Sequence, residues 1–182
     1  SLKNRYPQIQ LAALNFLGHS ADFRGNNELN EGMSSPYLPV RLEAAYWLAL
    51  TKAPTATGQI ESLMNKLPKE TTPYFPQLFA LNNSFSAIQV LHHLILQEDN
   101  LLSSQAIIQS GNYQIEELLP VIRTLSKHID PFQQEACAFS IGEFQDTYSI
   151  PILQHYTKSD LESLQLIAAI SLIKMGKKEL IP

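Results

Sequence analysis

The chain repeats itself. Small or apolar side chains stand at Ala13, Ala44, Phe75, Ala106, Cys137 and Ala168, each 31 positions after the last. Four positions on come Leu17, Leu48, Phe79, Ser110, Ile141 and Leu172. Directly after these stand Gly18, Ala49, Ala80, Gly111, Gly142 and Ile173. A second set keeps the same interval: Leu29, Ile60, Leu91, Ile122 and Leu153, followed three positions later by Gly32, Leu63, Leu94, Leu125 and Tyr156. A fixed internal period of this length marks an architecture in which each repeat buries its apolar face against its neighbours.

Inside each repeat the spacing is helical. Val40, Ala44 and Leu48 share one face of a first helix, and Ile60, Leu63, Met64 and Leu67 share one face of a second. Leu102 and Ala106, then QIEELLPVIRTL, do the same in the fourth repeat. Pro7, Pro36 and Pro131, with Tyr6, Tyr37 and Asp130 beside them, are expected at helix starts, where a missing N–H costs nothing. The small residues of the alanine column let neighbouring helices approach closely, and the glycine column marks the ends of the first helices. Pro68, Pro73 and Pro76 shorten the first helix of the third repeat. Residues 19–36 read as a short helix within an irregular connection, with a mobile loop as the alternative. No alternation of the β type persists, so the class is all-α.

The first-helix columns resemble the HEAT-like repeat family, in its short form of the phycobilisome-lyase type. Its pattern, roughly V-R-x-x-A-A-x-A-L-G, is matched well by Val40, Arg41, Ala44, Ala45, Leu48 and Ala49. Leu164, Gln165, Ala168, Ala169, Ser171 and Leu172 match it less fully, as do Ile9, Gln10, Ala13, Leu17 and Gly18. The family's arginine survives only as Arg41, with Gln10, Ser103, Gln134 and Gln165 in its place elsewhere. The resemblance implies a right-handed α-solenoid of antiparallel helix pairs, HEAT- or armadillo-like, with first helices lining the concave side. It spans residues 1–182 as a single domain of about six repeats. Tetratricopeptide and ankyrin repeats fail on length and signature.

Composition narrows the chemistry. The net charge is −4, with 13 Lys and Arg scattered among 182 residues. Such a chain is poorly suited to neutralising phosphates, so no nucleic-acid partner is expected. No apolar run reaches the roughly 20 residues of a membrane-spanning helix. Cys137 is the only cysteine and no secretory signal is visible, which fits a cytoplasmic location. Cys137 sits in the alanine column and reads as a small core residue rather than a nucleophile. None of His19, His92, His93, His128 or His155 precedes a glutamate, so the iron-binding dipeptides of the deoxyhypusine hydroxylase branch are missing. Adjacent helical residues point about 100° apart, which speaks against a metal site at His92-His93. No nucleophile elbow, phosphate loop or zinc spacing occurs. The chain is expected to be no enzyme and to hold no cofactor.

One stripe has a different character. Asn15, Tyr46, Gln77, Ile108, Phe139 and Ile170 lie two positions past the alanine column, nearly opposite the core line. Leu11, Leu42 and Leu166, two positions before it, extend the stripe. Leu42, Tyr46, Ile108, Phe139, Leu166 and Ile170 are therefore the candidate contacts for a protein or peptide partner on the concave surface. Burial by adjacent repeats is the competing explanation. The function expected is a non-enzymatic interaction scaffold. The alternatives are a structural segment of a larger multi-domain protein, or a phycobilin-lyase-like or other HEAT-repeat enzyme subunit. The last helix, around SDLESLQLIAAISLIKMG, is apolar on almost every side. The chain is thus expected to be a piece of a longer protein, and to self-associate weakly through residues 160–176.

Overall fold

The structure, a computed structural model, describes residues 6–20, 26–53, 55–127 and 130–182. Its regular elements among those residues are all helical. In order they are α1 (Pro7–His19), α2 (Asn26–Gly32), α3 (Leu38–Thr51), α4 (Ala56–Met64), α5 (Phe75–Asn82), α6 (Phe85–Ile95), α7 (Asn100–Asn112), α8 (Leu119–Leu125), α9 (Pro131–Glu143), α10 (Ile150–Tyr156) and α11 (Glu162–Lys174). Short 3-10 turns occupy Lys69–Tyr74, Glu116–Leu118, Thr147–Ser149 and Lys178–Leu180.

The sequence period is also a period of backbone conformation. First helices, or the 3-10 turn that leads into α5, start at residues 7, 38, 69, 100, 131 and 162. Left-handed residues follow at Lys52, Asn83, Gln114, Gln145 and Gly176, on the same interval. Leu29, Ile60, Leu91, Ile122 and Leu153 are all buried. Proline accounts for the shortened α5, as expected: with Pro73 inside the 3-10 turn and Pro76 in its first turn, α5 begins only at Phe75. One expected helix start moves. Pro36 precedes the N-cap Tyr37, and Pro39 is the proline inside the first turn of α3. Of the irregular connection over 19–36, α2 is the short helix, and residues 21–25 lie outside the described residues.

The chain forms two compact units, residues 1–87 and 88–182, divided within α6. In the first, α1 lies on α3, and Gly18 abuts the indole of Trp47 so closely that a Cβ there would sit 2.0 Å from Cδ2. Gly32 similarly faces Ala44 and Leu14. Neutral hydrogen bonds tie its later elements: Asn82 Nδ2 donates to the Ala49 carbonyl (3.1 Å), and the Thr57 hydroxyl meets Asn82 Oδ1 and Ser84.

In the second unit, α7, α9 and α11 pack in succession. They run parallel: Asn100 and Asp130 meet at the start of α7 and α9 (2.9 Å), and Gly111 lies on Ser140 near their ends. Ser163 on Glu135 and Lys174 on Glu143 place α9 and α11 in the same register. Gly142 lies on Ser171 as Gly111 does on Ser140, and a Cβ at either would approach a backbone Cα to within 3 Å (2.9 and 2.8 Å). The two serine hydroxyls donate back to the carbonyls of Ala138 and Ile107. These glycines stand one residue short of the helix end, where close approach demands them. The left-handed cap falls three residues later, on Gln114 and Gln145, and at the equivalent position after α11 on Gly176. There the next N–H bonds back to Ser110, Ile141 and Leu172 in a Schellman arrangement.

Candidate functional site

On the second unit, α7 and α9 leave a groove of about 590 Å³ between their exposed faces. Its apolar wall is Leu101, Ile108, Phe132, Ala136, Phe139 and, from α11, Ile167; its polar groups are Asn100, Ser104, Gln105 and Glu135. Helical periodicity alone brings these together. Asn100, Leu101, Ser104, Gln105 and Ile108 fall on one face of α7, and Phe132, Glu135, Ala136 and Phe139 on one face of α9. Because the helices are parallel and in register, residues 31 apart sit side by side: Leu101 by Phe132, Ser104 by Glu135, Ile108 by Phe139. The volume lies in the range of sites that enclose a ligand or an anchor side chain.

Ile108 and Phe139, two of the six residues singled out in the sequence, are thus joined in one groove. Leu166 and Ile170 stand on α11, 62% and 44% exposed, outside the lining. Leu42 and Tyr46 are half-buried on α3 of the first unit, where the Tyr46 ring meets Trp47 edge-on. Burial there pushes the nearby Tyr74 phenol up, with Glu43 and Tyr46 adding to it. None of the six is buried, so adjacent helices do not close over the stripe within either unit.

The sequence reading missed Leu101, Phe132 and Ser104. Leu101 and Phe132 are 60% and 68% exposed, and their spacing of one period was the available signal. Ser104 and Glu135 occupy the same column as Leu42 and Leu166, so the stripe turns polar where the groove lies. The Ser104 side chain is nine-tenths buried, and its Oγ has no hydrogen-bond partner among the described residues. Glu135 accepts a hydrogen bond from Ser163 and is the one ionisable residue of the lining. Asp99 and Asp130 cap α7 and α9 at the same end of the groove, accepting from the N–H groups of Leu102 and Gln133. At the other end Lys174 stands over the Phe139 ring, 5.4 Å from its centroid, and is paired with Glu143.

Cys137 is fully buried, and burial pushes its thiol up to about 12, which removes the thiolate a nucleophile needs. His19, His92, His93 and His155 are exposed, and His128 lies outside the described residues. No group of three metal-binding side chains comes together among the described residues. Asp146 is buried and held by Arg123 Nε and Nη2 at 2.8 and 2.6 Å, by Ser149 and by the Tyr148 N–H. Burial alone would raise its carboxyl; the bonds from Arg123 and Ser149 and the Arg123 charge outweigh that and hold it below the usual range. Among the described residues no helix is long and apolar enough to cross a membrane. No protein-family model matches the chain, and no curated protein matches it either.

Proposed function

We propose that this chain is a non-enzymatic interaction scaffold, a HEAT-like α-solenoid that holds a segment of a partner protein on the exposed faces of its first helices. The observation that carries this reading is the groove between α7 and α9. It pairs large apolar side chains that a protein without a partner has no reason to leave in water. The 31-residue recurrence of helix starts and left-handed caps supports the solenoid. So does the parallel stacking of α7, α9 and α11, since repeats that contact mainly their neighbours stack in this way. A binding role also accounts for the make-up of the groove: a mostly apolar wall with few polar groups and a single ionisable residue, Glu135.

The test is a double substitution at the groove, Ile108→Ser with Phe139→Ser, compared with the unaltered chain in affinity capture from native lysate. Proteins retained by the unaltered chain should be lost by the variant, while helical circular dichroism and its melting curve stay close to the parent. Equal retention of the same proteins by both would overturn the reading.

A further inference from the structure

The chemistry of the groove constrains what fills it. Its walls are helices, whose backbone N–H and C=O groups are already paired beyond the first turn. An extended peptide buried here would find no backbone partners, whereas a helix satisfies its own. The lining runs from Asn100 to Ile108, about 12 Å at the helical rise, which is two turns of a docked helix with anchors at i, i+4 and i+7. Charge is distributed unevenly along it. Asp99 and Asp130 stand at one end, and Glu135 lies midway, beside Ser104. The two helix N-termini at the aspartate end supply only about half a positive charge each, so that end stays negative. The other end is neutral, because Lys174 and Glu143 pair. In the floor, the unpartnered Ser104 hydroxyl is a desolvated polar group that a purely apolar face would leave unsatisfied.

We infer that the occupant is a basic amphipathic helix of a partner protein, with cationic residues over Glu135 and one polar residue within its apolar face bonded to Ser104. This inference rests on the groove being the binding site and adds the chemistry of what binds. Ser104 is then a specificity-determining residue: it costs the free protein stability and rewards only a partner that brings the matching polar group.

Three fluorescein-labelled helical 14-residue probes test it, with affinity read by anisotropy. The first has a leucine face interrupted by a central asparagine and flanked along its edges by lysines. The second replaces the asparagine by leucine, and the third replaces the lysines by glutamates. The first should bind best, with the glutamate probe at least about tenfold weaker. The uninterrupted leucine probe should be about fivefold weaker than the first, the worth of one net hydrogen bond. Ser104→Ala should erase the difference between the first two probes while leaving the melting temperature unchanged or higher, which loss of a structural hydroxyl would not do. Glu135→Lys should reverse the preference between lysine and glutamate probes.

Equal binding of lysine and glutamate probes, or an asparagine preference that survives in Ser104→Ala, would overturn this inference. If all probes bind and Ile108→Ser with Phe139→Ser abolishes them equally, the groove stands as the site and only its assigned occupant falls. If the double substitution leaves binding intact, the groove itself falls and the inference with it.

Discussion

The two units solve one problem, the seating of successive first helices, by different means. In residues 88–182 the solution is repeated: Gly111 on Ser140, Gly142 on Ser171, each serine hydroxyl returned to a carbonyl of the preceding helix. The caps repeat as well, with Schellman closures at Gln114, Gln145 and Gly176. In residues 1–87 each contact is improvised. Gly18 receives an indole instead of a serine, Thr51 Oγ1 helps close the cap at Lys52, and Asn83 closes with a single bond to Phe79. The comparison teaches that the period dictates where helices start and turn, while local side chains decide how closely they seat. The groove lies where seating is most regular, because side-by-side pairs such as Ile108 and Phe139 require helices in register.

The ties between layers differ in the same way, and the largest expected effect follows from that. The first unit uses neutral bonds of Asn82 and Thr57, whereas the second buries the Asp146 charge against Arg123. Arg123→Ala should cost about 2–3 kcal/mol at pH 7, below the 3–5 kcal/mol of a fully buried pair because 38% of the Arg123 side chain is in solvent. Asp146 has a lowered pKa in the folded state, so its contribution is complete above the unfolded value of about 3.9 and fades as pH falls through the folded value. Denaturant melts at pH 7 and pH 3 should therefore show the gap between variant and parent shrinking in acid. A constant gap would mean the charge is not what holds this turn. Asn82→Ala, in the first unit, should show no such pH dependence.

A second contrast concerns the glycines. Gly142→Ala should destabilise by about 2 kcal/mol: overpacking costs ~1–3, more against backbone, and alanine's better helix propensity returns only ~1. The obstacle is the Ser171 backbone, which cannot turn aside. Gly18→Ala meets first the Trp47 ring, a side chain rather than backbone, and should cost less than Gly142→Ala. Equal losses at the two positions in thermal melts would erase the distinction between the units.

Much of this was legible in the sequence. The 31-residue columns placed all five buried residues of the Leu29 set and foretold the short α5 from its prolines. The stripe also held Ile108 and Phe139. What stayed hidden depends on pairs of residues rather than on columns. The glycine column reads as a helix-ending signal, yet three of the five left-handed caps fall on Lys52, Gln114 and Gln145, whose types do not announce positive φ as Asn83 and Gly176 do. The groove's floor was hidden for a related reason. Ser104 shares a column with Leu42 and Leu166, and only side-by-side seating against Glu135 turns that column into a polar patch within an apolar groove.

The smallest effect sharpens the comparison by reversing its sign. Gly58 lies inside α4, has no left-handed φ, and a Cβ there would meet nothing within 4 Å. It therefore carries the entropic cost of glycine in a helix without the close approach that justifies Gly111 and Gly142. Gly58→Ala should stabilise the chain by about 0.5–1 kcal/mol, chiefly by restricting the unfolded state. The added methyl also faces the space lined by Asn30, Gln59 and Lys66, so it displaces no neighbour. Paired melts of Gly58→Ala and Gly142→Ala then separate two roles one residue type plays in this fold. A loss of stability at both positions would mean that α4 is seated more tightly than its open surroundings imply. Gains at both would mean that α9 and α11 can slide apart at little cost, and the regular register on which the groove depends would lose its physical basis.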